Sequence, residues 1–176
     1  MNHGHGKVAF FCNEGSWDSG SLPRVYGAGR REQIEALAAC YPAVVTMHNF
    51  EEHAPELHDL EVIFSTWGMP ALSVEQLDRL PHLRAVFYAA GSVQAFARPF
   101  LERDILVCSA WAANAVPVAE FTLAQILLAN KGYFRNVRDC RSPQDYKSAF
   151  HGRGNFGAAV SLLGAACSKT LSCWGS

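Results

Sequence analysis

The sequence predicts an α/β fold, a parallel sheet covered by helices on both faces and extended by one long helix. Three observations carry the prediction. Short β-branched and aromatic runs alternate with helical patterns along the first two thirds of the chain. An apolar fraction of 49% against 18% charged residues is enough to bury a core. A length of 176 residues holds one such domain plus an appendage, and falls short of two complete domains.

Residues 7–12, 43–48, 62–67, 85–90 and 105–110 read as five strands. Between them, residues 30–40, 73–80 and 93–103 read as helices, with a weaker one at 51–57. Ser73 is placed as an N-cap, with Gln76 three residues on completing a capping box ahead of Leu77 and Leu80. Strand and helix in alternation favour parallel pairing, because each crossover lays a helix on the sheet. Residues 116–138 then read as one long helix opened by Pro117, a residue tolerated in a first turn. Phe121, Leu123, Ala124, Leu127 and Leu128 give that helix a broad apolar surface, which suits a connector between domains. A polar loop over 144–154 leads to a last expected strand, 158–163.

A formal net charge of −1 gives no field that would draw nucleic acid or an anionic membrane. The basic residues between Lys131 and Arg153 read as a solvated helix end. No uninterrupted apolar run reaches the roughly 18 residues of a membrane span, and the first seven residues lack a signal-peptide layout, so a cytoplasmic location is expected. The cysteines at 12, 40, 108, 140, 167 and 173 show no paired spacing, and Cys12 and Cys108 read as reduced core residues. No C-x-x-C is present and no histidine pairs with a cysteine at finger-like spacing, so no metal site is expected.

Ligands of open parallel sheets bind beyond the carboxyl ends of the strands. The loops of interest are therefore 13–16, 67–70 and 91–92. Four segments, S-T-W-G-M-P at 65–70, Y-A-A-G-S-V at 88–93, N-A-V-P-V-A-E-F-T-L-A-Q-I-L-L at 114–128 and G-N-F-G-A-A-V-S-L-L-G-A at 154–165, resemble in order and spacing the front half of the D-isomer-specific 2-hydroxyacid dehydrogenases. The resemblance covers most of the chain from about residue 60. It implies a flavodoxin-like substrate domain over 1–113, a connecting helix and loop over 114–153, and the start of an NAD-binding Rossmann domain over 154–176.

The implied reaction is hydride transfer between the nicotinamide of NAD and a 2-hydroxy or 2-keto acid. The substrate carboxylate would be held by backbone amides of Ala90, Gly91 and Ser92, an arrangement the physics of a glycine-containing turn supports. Trp67 and Gly68 lie where loops of this family wall the pocket, although packing is the commoner role for a tryptophan. Asn114 matches the family asparagine near substrate and nicotinamide, and asparagine also suits a helix N-cap. Gly164 matches the first glycine of the dinucleotide turn.

The departures are as informative. The turn reads Gly164-Ala165-Ala166-Cys167, so Ala166 stands where a second glycine should admit the pyrophosphate. The family's arginine, histidine and carboxylate lie beyond that turn and have no counterpart here, so no catalytic residue is assigned. A frame change or early stop after Ala165, an inactive chain without bound cofactor, and dimerisation or aggregation through the exposed connecting helix are the corresponding expectations. A non-catalytic module that binds small carboxylates on the same sheet, indifferent to NADH, is the competing reading.

Overall fold

The computed structural model describes residues 6–150 and 152–162. The chain forms two compact units that divide between Trp111 and Ala112.

The first unit is built on β1 (Lys7–Phe11), β2 (Ala39–Val45), β3 (Leu60–Ser65), β4 (Ala85–Tyr88) and β5 (Leu106–Ser109). All pairings are parallel and the strand order is β2-β1-β3-β4-β5, the flavodoxin-like arrangement. Helices α1 (Ser21–Tyr26) and α2 (Arg30–Glu35) contribute to the core on one face. The other face packs against α3 (Phe50–His53), the 3₁₀ turn Ala54–Leu57, α4 (Val74–Asp78) and α5 (Ala97–Leu101). This larger core includes Phe11, Val45, Phe50, Leu57, Ile63 and Phe100, all fully buried.

On the α1 side, Phe10, Phe64, Phe87 and Cys108 stand in one register row across the sheet. Phe10 is 1% exposed and packs edge-on to Trp17 and Tyr26, whereas Phe87, stacked on Phe64 at 5.5 Å, is 40% exposed. Cys12 is a buried free thiol as expected, and Cys108 is free and half-buried.

Several elements differ from their sequence-based bounds for local reasons. The expected helix 30–40 stops at Glu35, because Ala39 and Cys40 pair with Lys7 and Val8 and so begin β2. Edge pairing overrides the helical preference of this alanine-rich stretch. The strand expected at 43–48 correspondingly runs earlier and ends at Val45. There Asn49 Oδ1 accepts from Thr46 N at 2.7 Å and Thr46 Oγ1 accepts from His48 N, closing a turn. Helix α1 had no sequence signal; Leu22 and Tyr26 anchor it to the sheet. The Ser73 capping box is present, with Gln76 N donating to Ser73 Oγ and Ser73 N to Gln76 Oε1.

In the second unit, α6 (Trp111–Asn130) begins ahead of the expected start, so Pro117 lies inside the helix and leaves the Ala113 carbonyl without its helical partner. The helix ends before Gly132, whose φ of 70° is left-handed, and α7 (Tyr133–Asp139) follows as a separate element. The 3₁₀ turn Pro143–Asp145 and α8 (Tyr146–Ala149) complete the unit's helices among the described residues. Gly154 N donates to Asn130 O, a carbonyl at the end of α6, and Asn155 Nδ2 adds a second donor to Leu127 O, which also accepts from Lys131 N. The expected strand at 158–163 is not formed over its described part, 158–162. The described residues of this unit hold no other strand against which it could pair.

No residue of α6 is buried. By length and composition alone α6 could cross a membrane, with a mean hydropathy of 1.4 over an 18-residue window. Glu120 near its middle would cost about 3 kcal/mol at a bilayer centre.

Candidate functional site

Strand register sets the site. Phe11, Ser65, Tyr88 and Ser109 are aligned across β1, β3, β4 and β5, so the loops that leave these strands emerge side by side. Ser65 Oγ donates to Phe11 O at 2.6 Å, and the buried Tyr26 hydroxyl donates to Ser65 O at 2.7 Å. Burial pushes the Tyr26 phenol far above its ordinary value, so it stays a neutral donor.

The loop after β3 is clamped to the loop after β1. Asn13 N donates to Gly68 O at 2.6 Å, while Cys12 Sγ and Ser21 Oγ both reach Trp67 O at 3.1 Å. Gly68 has a left-handed φ of 85°, and a Cβ there would lie 2.8 Å from Glu14 Cγ. It is glycine on both counts. Trp67 is 47% exposed, and its carbonyl is tied into the fold.

The loop after β4 is held by its carbonyls. Thr66 Oγ1 donates to Ala89 O at 3.2 Å, and Ser109 Oγ donates to Ala90 O at 3.0 Å and Gly91 O at 2.5 Å. The amides of Ala90, Gly91 and Ser92 donate to no acceptor among the described residues. Ala90 is 1% exposed, which makes an unpaired amide there costly unless a ligand or water supplies the acceptor. Three successive amides without an acceptor, beside a half-buried glycine, make this loop the candidate anion cradle. Ser109, which fixes this cradle from the neighbouring strand, was missed by sequence reasoning; only its place at the end of a strand next to β4 could have pointed to it.

Tyr88 flanks the cradle, its ring edge-on to Phe96 at 5.0 Å. Its phenol is raised above the ordinary value, first by burial and then by the negative charge of Glu14 and the proximity of Cys12.

The sequence-predicted residues thus fall into three groups. Trp67 and Gly68 lie in the loop after β3, and Ala90, Gly91 and Ser92 in the adjacent loop after β4. Asn114 belongs to the second unit, inside the first turns of α6, so it does not cap that helix. Gly164 lies outside the described residues.

A dinucleotide does not fit the first βα turn of this sheet. A Cβ on Gly20 would meet Glu14 O at 2.4 Å and Gly15 Cα at 2.7 Å, so these glycines let the loop close on itself and leave no bare backbone for a pyrophosphate. Glu14 adds a negative charge at that turn. Among the described residues no group of three or more His, Cys, Asp or Glu side chains is placed to hold a metal ion.

No protein-family model and no curated protein matches the chain. Among solved structures it is similar to the NAD-dependent formate dehydrogenase of Staphylococcus aureus in complex with NAD, at 18% identity and a TM-score of 0.52. That match covers 82% of this chain and 46% of the other, so the chain spans about half the length of this neighbour. A Ralstonia solanacearum protein described as a D-3-phosphoglycerate dehydrogenase matches at 16% identity and a TM-score of 0.41, over 77% of this chain and 38% of that one. At 18% identity the first likeness establishes a shared fold alone: the chain is folded like part of that formate dehydrogenase.

Proposed function

We propose that the first unit is the substrate domain of an NAD-dependent dehydrogenase of the D-2-hydroxyacid type, and that it holds the carboxylate of a small 2-hydroxy or 2-keto acid on the loop after β4. The observation that carries the reading is the set of three free amides at Ala90, Gly91 and Ser92, fixed in place by Ser109. A carboxylate has four lone-pair sites for such donors, and each amide–carboxylate bond is stronger than its neutral counterpart. Trp67 and Gly68 form the neighbouring wall. Asn114, with an amide that both donates and accepts, is assigned to the substrate and nicotinamide side of the complete site.

NAD enters this proposal as the cofactor of the whole protein. Its expected turn begins at Gly164, and the alanine at position 166 does not suit the close approach of a pyrophosphate. The residues described here bind and orient a carboxylate; no step of hydride transfer is assigned to them.

Amide chemical shifts of the purified chain, followed during titration with 2-hydroxy and 2-keto acids, test the carboxylate site. Saturable shifts at residues 90–92 are expected, and a flat response at those positions overturns the proposal. A parallel titration with NADH, read by nicotinamide fluorescence and by turnover of a 2-keto acid panel, separates a dehydrogenase from a carboxylate-binding module. Carboxylate binding that NADH never influences would favour the module.

A further inference from the structure

Helix α6 carries a pattern that the carboxylate reading does not use. No residue of it is buried, and Trp111, Val118, Phe121 and Leu128 are exposed large apolar side chains. These four, with Asn114 and Gln125, recur at alternating steps of three and four residues, which places all six on one stripe about 25 Å long. Glu120, the only charged residue of the helix, falls outside it.

A stripe with this spacing is the seam of a two-helix coil, and its order decides how a second copy would lie. In an antiparallel pair about a two-fold axis between Ala119 and Glu120, Trp111 meets the partner's Leu128 and Val118 meets the partner's Phe121, apolar against apolar. Asn114 then meets the partner's Gln125, so the two amides of the seam face each other instead of an apolar side chain. An asparagine amide has two donors and two acceptor sites, which leaves Asn114 capacity for the substrate-side role assigned to it above. The flanking positions are small as well. Ala115 falls opposite the partner's Ala124, which lets the helices approach closely.

Charge separates this arrangement from a parallel one. Residues 131–153, directly after α6, hold six Lys or Arg against two Asp, while residues 1–111, joined to its other end, hold eight Lys or Arg against thirteen Asp or Glu. A parallel pair would bring two segments of net +4 together at one end and two units of net −5 at the other. The antiparallel pair sets each basic segment at the helix end to which the partner's acidic unit is joined, so both ends attract.

We infer that two copies of the chain associate through α6 as an antiparallel pair, with Val118 and Phe121 at the centre of the seam. This stands independently of the carboxylate site.

The test measures the mass of the full chain by sedimentation equilibrium and compares two like substitutions on opposite sides of the helix. The wild type is expected at twice the 19.3 kDa of one chain. Phe121→Glu places a charge beside the two-fold axis in both copies and should raise the dissociation constant at least about tenfold, whereas Val116→Glu, on the side away from the stripe, should stay within about twofold. Direction is read from two single variants, Ala115→Cys and Ala124→Cys, oxidised separately and as a mixture, with the linked peptides identified by mass. A link between 115 and 124, formed in the mixture alone, is expected; links of 115 to 115 or 124 to 124 mark a parallel pair and overturn the seam. A monomeric wild type overturns the association, including one that sediments instead with anionic vesicles. Equal losses at 116 and 121 mark association without a fixed seam and overturn it as well.

Discussion

Ser109 Oγ and Ala90 O are 3.0 Å apart, and this bond ties the last residue of β5 to the loop that leaves β4. The same hydroxyl reaches Gly91 O, so one side chain ties two successive carbonyls to β5. Ser109→Ala should leave the fold intact and weaken carboxylate binding by about five- to tenfold, the equivalent of one lost hydrogen bond of roughly 1 kcal/mol. Equal affinities for the variant and the wild type would show that the loop keeps its shape without Ser109.

Gly68→Ala combines a left-handed φ with a close approach to Glu14. A loss of about 1–2 kcal/mol is expected, since a side chain in this conformation costs about that much before any clash. For a domain of this size the melting temperature should fall by roughly 4–8 °C per kcal/mol. An unchanged melting temperature would mean that the turn relaxes freely.

Phe10→Ala removes the ring on which Trp17, Tyr26 and Phe64 converge, with centroids 4.7, 5.1 and 5.7 Å away. The expected cost is about 3–5 kcal/mol, read by denaturant unfolding. Phe87→Ala in the same row should cost far less, because that ring is 40% exposed. Equal losses at the two positions would contradict the uneven cover of this face.

The Tyr26 and Tyr88 phenols, both raised by burial, make stability depend on alkaline pH. Their folded values exceed the unfolded value of about 10, so their neutral forms support the fold fully below that pH. The support is lost as pH rises through the folded values. Unfolding free energy should be level between about pH 8 and 9.5 and fall above 10, with phenolate absorbance rising together with unfolding. Tyr26→Phe should flatten part of that fall and cost about 1 kcal/mol at pH 8, because Ser65 O loses one of its two donors and keeps Ala89 N.

Five strands and their parallel character were legible because β-branched and aromatic runs at Val62–Phe64 and Val86–Tyr88 have no competing helical period. The edges were less so. Ala39 and Cys40 read as helix, and only Lys7 and Val8 across the ladder pull them into β2. Gly132 ends α6 through a backbone angle, and Pro117 was placed at a helix start when the helix tolerates it inside. Of the site, Gly68 and Gly91 were visible as glycines in strand-end loops. The contribution of Ser109 was not, because it depends on which strand lies next to which.

The position of β1 between β2 and β3 also governs how the chain is made. Ser65 and Phe11, 54 residues apart, are joined at the centre of the sheet, so β1 waits for β3 to be synthesised before its inner edge is paired. At a synthesis rate of roughly 5–20 residues per second, that wait lasts several seconds. Through it the run Val8-Ala9-Phe10-Phe11 is apolar, uncharged and free of proline, the composition that other nascent strands most readily join. Crowded polysomes expose this unpaired run to neighbouring nascent chains, and slower initiation, which spaces those chains apart, should raise the folded yield.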